Sequence, residues 1–220
     1  MKIALISANI GGFDRVHVHE KQNVEYEYYY HHDDTTDHHL VPYNVHHLSS
    51  RMQAKYIKLQ AHMFIYADVF IWIDGSFEII TDDFIEFMIT QLVYGEIAMP
   101  LHPKRPNAYE EMNFLISCLD ENEKYVSDRY KGIKFEHELD FYMSNYFPVN
   151  YPLYACGVFA RLNNEKVNKF FDAWWQRCLE FSEFDQGLFS FEAWRHEIKI
   201  NSFPFGTLDK YLKRHKHLVD

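Results

Sequence analysis

Apolar residues recur along the chain in two patterns: short unbroken runs, and rows spaced three and four apart. The unbroken runs read as strands. They are Lys2 to Ser7 (KIALIS), Val69 to Ile73 (VFIWI), Glu96 to Leu101 (EIAMPL) and Val158 to Arg161. VFIWI is short and wholly apolar, as expected of a strand buried on both faces in a parallel sheet covered by helices. Glu25 to Tyr30 (EYEYYY) alternates polar and aromatic residues and reads as a further strand.

The spaced rows predict helices. Ser49 or Ser50 caps the first, whose apolar face is Met52, Tyr56, Leu59 and Met63. Thr81 or Asp82 opens a second, with Phe84, Ile85, Phe87, Met88 and Leu92 inward and Gly95 as its stop. Glu110 and Glu111 open a third over Met112, Leu115, Ile116 and Leu119, their charge suited to a helix N-terminus. Asn163 or Asn164 starts a strong helix with Val167, Phe170, Phe171, Trp174 and Cys178 on one face, and a last helical stretch runs through Trp194. Residues 120–152 are mixed, and Tyr142, Tyr146, Phe147 and Tyr151 read either as an acceptor wall or as packing under a loop. Strands and helices alternate, which predicts one α/β domain over residues 1–220 with a mostly parallel central sheet flanked by helices.

The candidate chemistry sits where the runs stop. VFIWI ends at Asp74, Gly75 and Ser76. A carboxylate is costly to bury unpaired, so Asp74 belongs at the strand's carboxyl end, facing the cleft where open α/β sheets bind ligands. Asp74 reads as a metal or nucleotide ligand, or, since Asp-Gly is a common turn pair, as a strand-terminal turn. KIALIS runs into Ala8, Asn9, Ile10, Gly11 and Gly12, either a loop that brings backbone N–H groups to a nucleotide or a plain turn. Asp33 and Asp34, past the EYEYYY strand, are candidate nucleotide contacts. The HHDDTTDHH stretch around them lacks zinc-site spacing, because adjacent residues on an extended chain point opposite ways. Arg51, Lys55 and Lys58 lie on the first helix, with Lys55 and Lys58 three apart and adjacent. They suit a diphosphate or form a solvated face. Asp185 falls between two helical stretches, and Ser182-Glu183-Phe184-Asp185 also has the form of a capping box.

Composition narrows the class. Apolar residues make up 47% and aromatics 18% of 220 residues, enough for a full core. The net charge of −10 and scattered basic residues argue against a nucleic-acid partner. No apolar run reaches the length of a membrane span, and MKIALISANIGG lacks a signal-peptide layout. Cys118, Cys156 and Cys178 are odd in number and far apart, which predicts reduced thiols and a cytoplasmic setting.

Five pieces in order carry a resemblance: ISANIGGFD, RMQAKYIK, WIDGS, HPKRPNAYEE, and LYACGVFARLNN followed by WW and FDQGLFSF. Together they resemble small GT-A-fold (Rossmann-like) glycosyltransferases, a group that includes the chlorella-virus capsid-glycan glycosyltransferase domains and related bacterial and plant polysaccharide enzymes. The resemblance implies a nucleotide-sugar donor, a UDP-sugar, a glycan acceptor, and Mn²⁺ (or Mg²⁺) at the diphosphate. For a viral enzyme the setting is the host cytoplasm. It implies a donor site of Ala8, Asn9, Gly11, Asp33, Asp34, Arg51, Lys55, Lys58, Asp74, Gly75 and Ser76. His102, Arg105, Glu110, Cys156 and Gly157 then stand on the acceptor side. Asp74 stands at the family's DxD acid, but Ser76 replaces the second acid. His215 and His217 are the C-terminal histidines available to complete a metal site with Asp74 and Ser76. FDQ resembles the family's RDQ, with Phe184 for Arg, and makes Asp185 the catalytic base of an inverting transfer. The alternatives are a catalytically silent GT-A-like domain that binds a carbohydrate or a partner, and a nucleotide-sugar hydrolase.

Overall fold

The computed structural model describes residues 1–32 and 45–218. The apolar runs form a six-stranded sheet of β1 (Ile3–Asn9), β2 (Glu27–His32), β3 (Val69–Ile73), β5 (Ile97–Pro100), β6 (Val158–Leu162) and β7 (Ile200–Phe203). The order across the sheet is β2-β1-β3-β6-β5-β7. Pairs β1–β2, β1–β3 and β5–β7 are parallel, whereas β6 runs antiparallel to both β3 and β5. Five strands therefore share one direction, and the largely parallel α/β class expected from the sequence is what the chain adopts. A ribbon of β4 (Phe77–Ile79) and β8 (Leu212–Arg214) lies beside it.

The sheet is buried on both faces, as the unbroken apolar runs require. Along β3, Phe70 and Trp72 enter one core with α1 (Ser50–Gln60), α3 (Ala108–Asp120), α6 (Glu165–Glu180) and α7 (Gln186–Arg195). Val69, Ile71 and Ile73 enter the other with α2 (Phe84–Leu92). The period of two along a strand sends alternate residues to opposite cores. In the first core Trp174 and Phe170 of α6 are fully buried, and Arg161 of β6 lies between the rings of Phe70 and Phe171.

Several local expectations are corrected. Strand and helix do not alternate throughout: β1 is followed by β2, and α3 by α4 (Lys124–Tyr130) and α5 (Phe135–Ser144). These two helices lie in the mixed region 120–152. Tyr142 and Phe147 are buried among Tyr109, Phe191 and one another, so they pack the core and form no acceptor wall, while Tyr146 is exposed. The N-cap of α2 is Asp83, neither Thr81 nor Asp82. Met63 is exposed because α1 ends at Gln60 and a short 3₁₀ turn rotates it outward.

Candidate active site

The carboxyl ends of β1, β3 and β5 and the amino end of β6 meet at one edge of the sheet. A cleft of about 990 Å³ opens there. The backbone couples its walls: Asp74 N–H donates to Gly157 O at 2.8 Å, and His102 N–H to Leu153 O at 2.9 Å.

Each wall is built locally. After β1, Asn9 clamps its loop, with Nδ2 donating to Asp14 O at 2.7 Å and Oδ1 accepting from Asp14 N–H at 2.9 Å. Gly11 has φ +85°, and a Cβ there would lie 2.9 Å from Ser50 Oγ, so glycine lets the loop reach the start of α1. Ser49 caps α1 by accepting from Met52 N–H. Arg51 then ion-pairs with Glu183 and donates to Arg129 O at 3.0 Å.

Asp74 is held on both sides. Trp72 Nε1 donates to its Oδ1 at 2.7 Å. A Cβ on Gly157 would come within 2.8 Å of its Oδ2, so glycine keeps that space open. Burial pushes the Asp74 carboxyl up, against the opposing pull of Lys58 and the Trp72 indole.

Asp185 is the second focus. Its Oδ2 lies 2.9 Å from Lys55 Nζ and 2.8 Å from Lys58 Nζ. Burial opposes its charge, but the two ammonium groups overcome that and hold the carboxyl well below the usual range. Burial likewise opposes the charge on Lys58, and Asp185 and Asp74 outweigh it, raising its pKa. Asp185 occupies the N-cap position of α7, yet its side chain makes no capping bond. The capping-box reading of Ser182–Asp185 therefore fails: Ser182 Oγ accepts from Phe184 N–H, and the Asp185 carboxylate turns to the lysines. Lys55 and Lys58 are correspondingly no solvated face.

The cleft brings together Ala8, Asn9, Gly11, Arg51, Lys55, Lys58, Asp74, Gly75, Ser76, His102, Arg105, Cys156, Gly157, Asp185 and His217 from the sequence-derived site. Glu110 lies outside it, tied to the Asn107 cap. Its neighbour Glu111 lines the wall instead, 2.5 Å from Arg105 Nε. Cys156 lines the cleft as a buried thiol whose pKa burial pushes well above its ordinary value, which disfavours the thiolate. Asp33 and Asp34, with most of the HHDDTTDHH stretch, lie outside the described residues. Sequence reasoning missed Asp14, Lys104, Arg129 and Arg214, which also line the cleft. The charge of each was visible in the sequence, but their convergence depends on the fold.

The four residues named as metal ligands do not assemble. His215 Nε2 sits 2.7 Å from Glu78 Oε2, outside the cleft. His217 lines the cleft but lies 2.6 Å from Asp14 Oδ1. Among the described residues, one group of His, Cys, Asp and Glu presents three ligand atoms within 4.8 Å of one another, namely His17, Glu78 and His215. Asp74 shares the cleft with the carboxylates of Asp14, Glu111, Glu123, Glu183 and Asp185, and it is the one that Gly157 leaves room beside. One such acid fits a hard divalent cation that takes its remaining oxygen ligands from a bound group or from water.

No protein-family model matches the chain, and no curated protein matches it in sequence. Among solved structures it is similar to mouse xyloside xylosyltransferase 1 in its apo form, at 10% identity and a TM-score of 0.48, over 92% of this chain and 85% of that one. It is also similar to core-mannan synthase A from Aspergillus fumigatus in its Mn/GDP form, at 10% identity and a TM-score of 0.40, over 91% and 72% of the two chains.

Proposed function

We propose that this protein is a GT-A-type glycosyltransferase that moves a sugar from a nucleotide-sugar, a UDP-sugar, to a glycan acceptor with inversion. The observation that carries the reading is that seven basic side chains, Arg51, Lys55, Lys58, Lys104, Arg105, Arg129 and Arg214, line one cleft and outnumber its six carboxylates, Asp14, Asp74, Glu111, Glu123, Glu183 and Asp185, in a chain whose net charge is −10. A concave site that gathers cations in an acidic protein suits a polyanionic ligand.

Departure of a nucleoside diphosphate builds negative charge on its phosphates. Preorganised cations in a low-dielectric cleft stabilise that charge without reorganising. Lys55 and Lys58 are oriented for this by Asp185. Mn²⁺ or Mg²⁺, when bound, adds Lewis-acid stabilisation of the diphosphate, and Asp74 would hold it, with Ser76 and His217 lining the same cleft. Asp185 takes the acceptor hydroxyl proton. In the free protein its lysine partners make it a weak base. A diphosphate that engages both lysines draws on the same positive charge, and the carboxylate gains basicity when the donor is in place.

A second reading, a GT-A-like domain that binds a carbohydrate or partner without turnover, is favoured by Ser76 standing where the resembled family carries its second acid. Release of UDP from a panel of UDP-sugars in Mn²⁺, with and without glycan acceptors, separates the readings. Transfer gives acceptor-dependent release, hydrolysis gives release without acceptor, and the silent domain gives neither.

A further inference from the structure

The C-terminal tail is strapped over the loop that follows β1. Leu218 N–H donates to Phe13 O at 3.0 Å, and His215 N–H to Ser76 O at 2.8 Å. Beside this strap, His17 and His215 stack at 4.1 Å between ring centroids. Glu78 of β4 reaches the pair, and the three ligand atoms lie within 4.8 Å of one another. His17 Nε2 is buried and no protein group hydrogen-bonds to it. None of the three residues lines the cleft.

Two imidazole nitrogens and one carboxylate oxygen make the donor set of a borderline-soft divalent cation. Zn²⁺ takes three such protein ligands and leaves a fourth position to water. Imidazole ligands suit Zn²⁺ and Ni²⁺, whereas Mg²⁺ and Ca²⁺ require mostly oxygen. A buried ring nitrogen without a partner costs free energy, and a cation removes that cost. Glu78 and His215 keep 29% and 26% of their side-chain surface, so the site is open to an ion.

We propose that His17, Glu78 and His215 form a Zn²⁺-type site, separate from the donor cleft, that fastens the tail to the β1 loop and to β4. The three ligands come from three segments far apart in sequence, so the ion acts as a clasp. The same strap carries His217 and Arg214 to the cleft wall, and fastening it fixes that wall.

Zn²⁺ added to chelator-treated protein should raise the melting temperature by roughly 5 °C or more at a hundredfold excess over Kd, with one equivalent bound. The rise should be largely lost in both His17→Gln and Glu78→Gln, two partly exposed positions, and kept in Asp74→Asn, which alters only the cleft. Trypsin cleavage after Arg214 and Lys216, which flank His215, should slow on Zn²⁺ addition. No rise in the wild type, a rise of equal size in either ligand variant, or a tail cut equally fast with and without Zn²⁺ overturns the proposal.

Discussion

Lys58 Nζ and Asp185 Oδ2 lie 2.8 Å apart inside the protein, although 127 positions separate the two residues. Lys55 approaches the same oxygen at 2.9 Å, so two ammonium groups share one carboxylate, and the nearby Asp74 also favours the charge on Lys58. Lys58 also lies over the rings of Trp72 and Trp174, at 5.8 and 5.6 Å. The arrangement stores two cations beside a cleft without leaving either uncompensated. A ligand that brings its own negative charge can then use them.

Removing the carboxylate strands a buried charge. Asp185→Asn should destabilise the fold by about 3 kcal/mol, the lower end of what breaking one side of a buried pair costs. Denaturant unfolding measures this. Adding Lys58→Met should recover most of the loss, because an apolar side chain of similar length needs no counter-charge. Turnover is expected to fall by roughly a hundredfold or more in Asp185→Asn, as for loss of a general base. Loss of stability without loss of turnover would leave Asp185 as an anchor for the lysines only.

Gly157→Ala tests the space beside Asp74. The new Cβ would come within 2.8 Å of Asp74 Oδ2, closer than a side chain tolerates. The carboxylate must shift, and the melting-temperature rise that UDP gives in Mn²⁺ should shrink in this variant. Asp74→Asn keeps the size and loses the charge. In it the difference between UDP in Mn²⁺ and UDP in excess EDTA should vanish. An undiminished metal-dependent rise in Asp74→Asn would reduce Asp74 to a turn residue.

Much of the sheet was legible because buried strands are written as apolar runs. β1, β3, β5 and β6 all fall on such runs, and Asp74 ends one of them. The direction of β6 was not legible, since a strand buried on both faces carries the same pattern whichever way it runs. α1 was legible with its Lys55–Lys58 pair, but the partner of that pair is set by the packing of α1 on α6, not by local spacing. Glu110 and Glu111 are adjacent at the start of α3, and only the rotation of the helix sends one to Asn107 and the other to Arg105. His215 and His217 likewise separate only in three dimensions, one to Glu78 and one to Asp14.

Glu138 gives the stability a pH dependence. It is 1% exposed in α5, accepts a hydrogen bond from Tyr142, and burial pushes its carboxyl up to about 8 from an ordinary 4.5. The folded state holds a proton that the unfolded state has released. Its contribution is therefore full below about pH 4.5 and is lost as pH rises through about 8. The melting temperature should decline across this window in the wild type and decline less in Glu138→Gln, which stays neutral. Parallel profiles for the two proteins would mean that Glu138 does not hold its proton.

Binding of a nucleoside diphosphate in the cleft is open to calorimetric titration of UDP into the protein in Mn²⁺, beside the same titration into Lys55→Gln. The predicted result is saturable binding at one site in the wild type and at least about tenfold weaker binding in the variant, as expected for loss of one charge-assisted contact of 1.5–3 kcal/mol. Heats indistinguishable from buffer for UDP and for UDP-sugars in the wild type, or equal affinity in the variant, would contradict it.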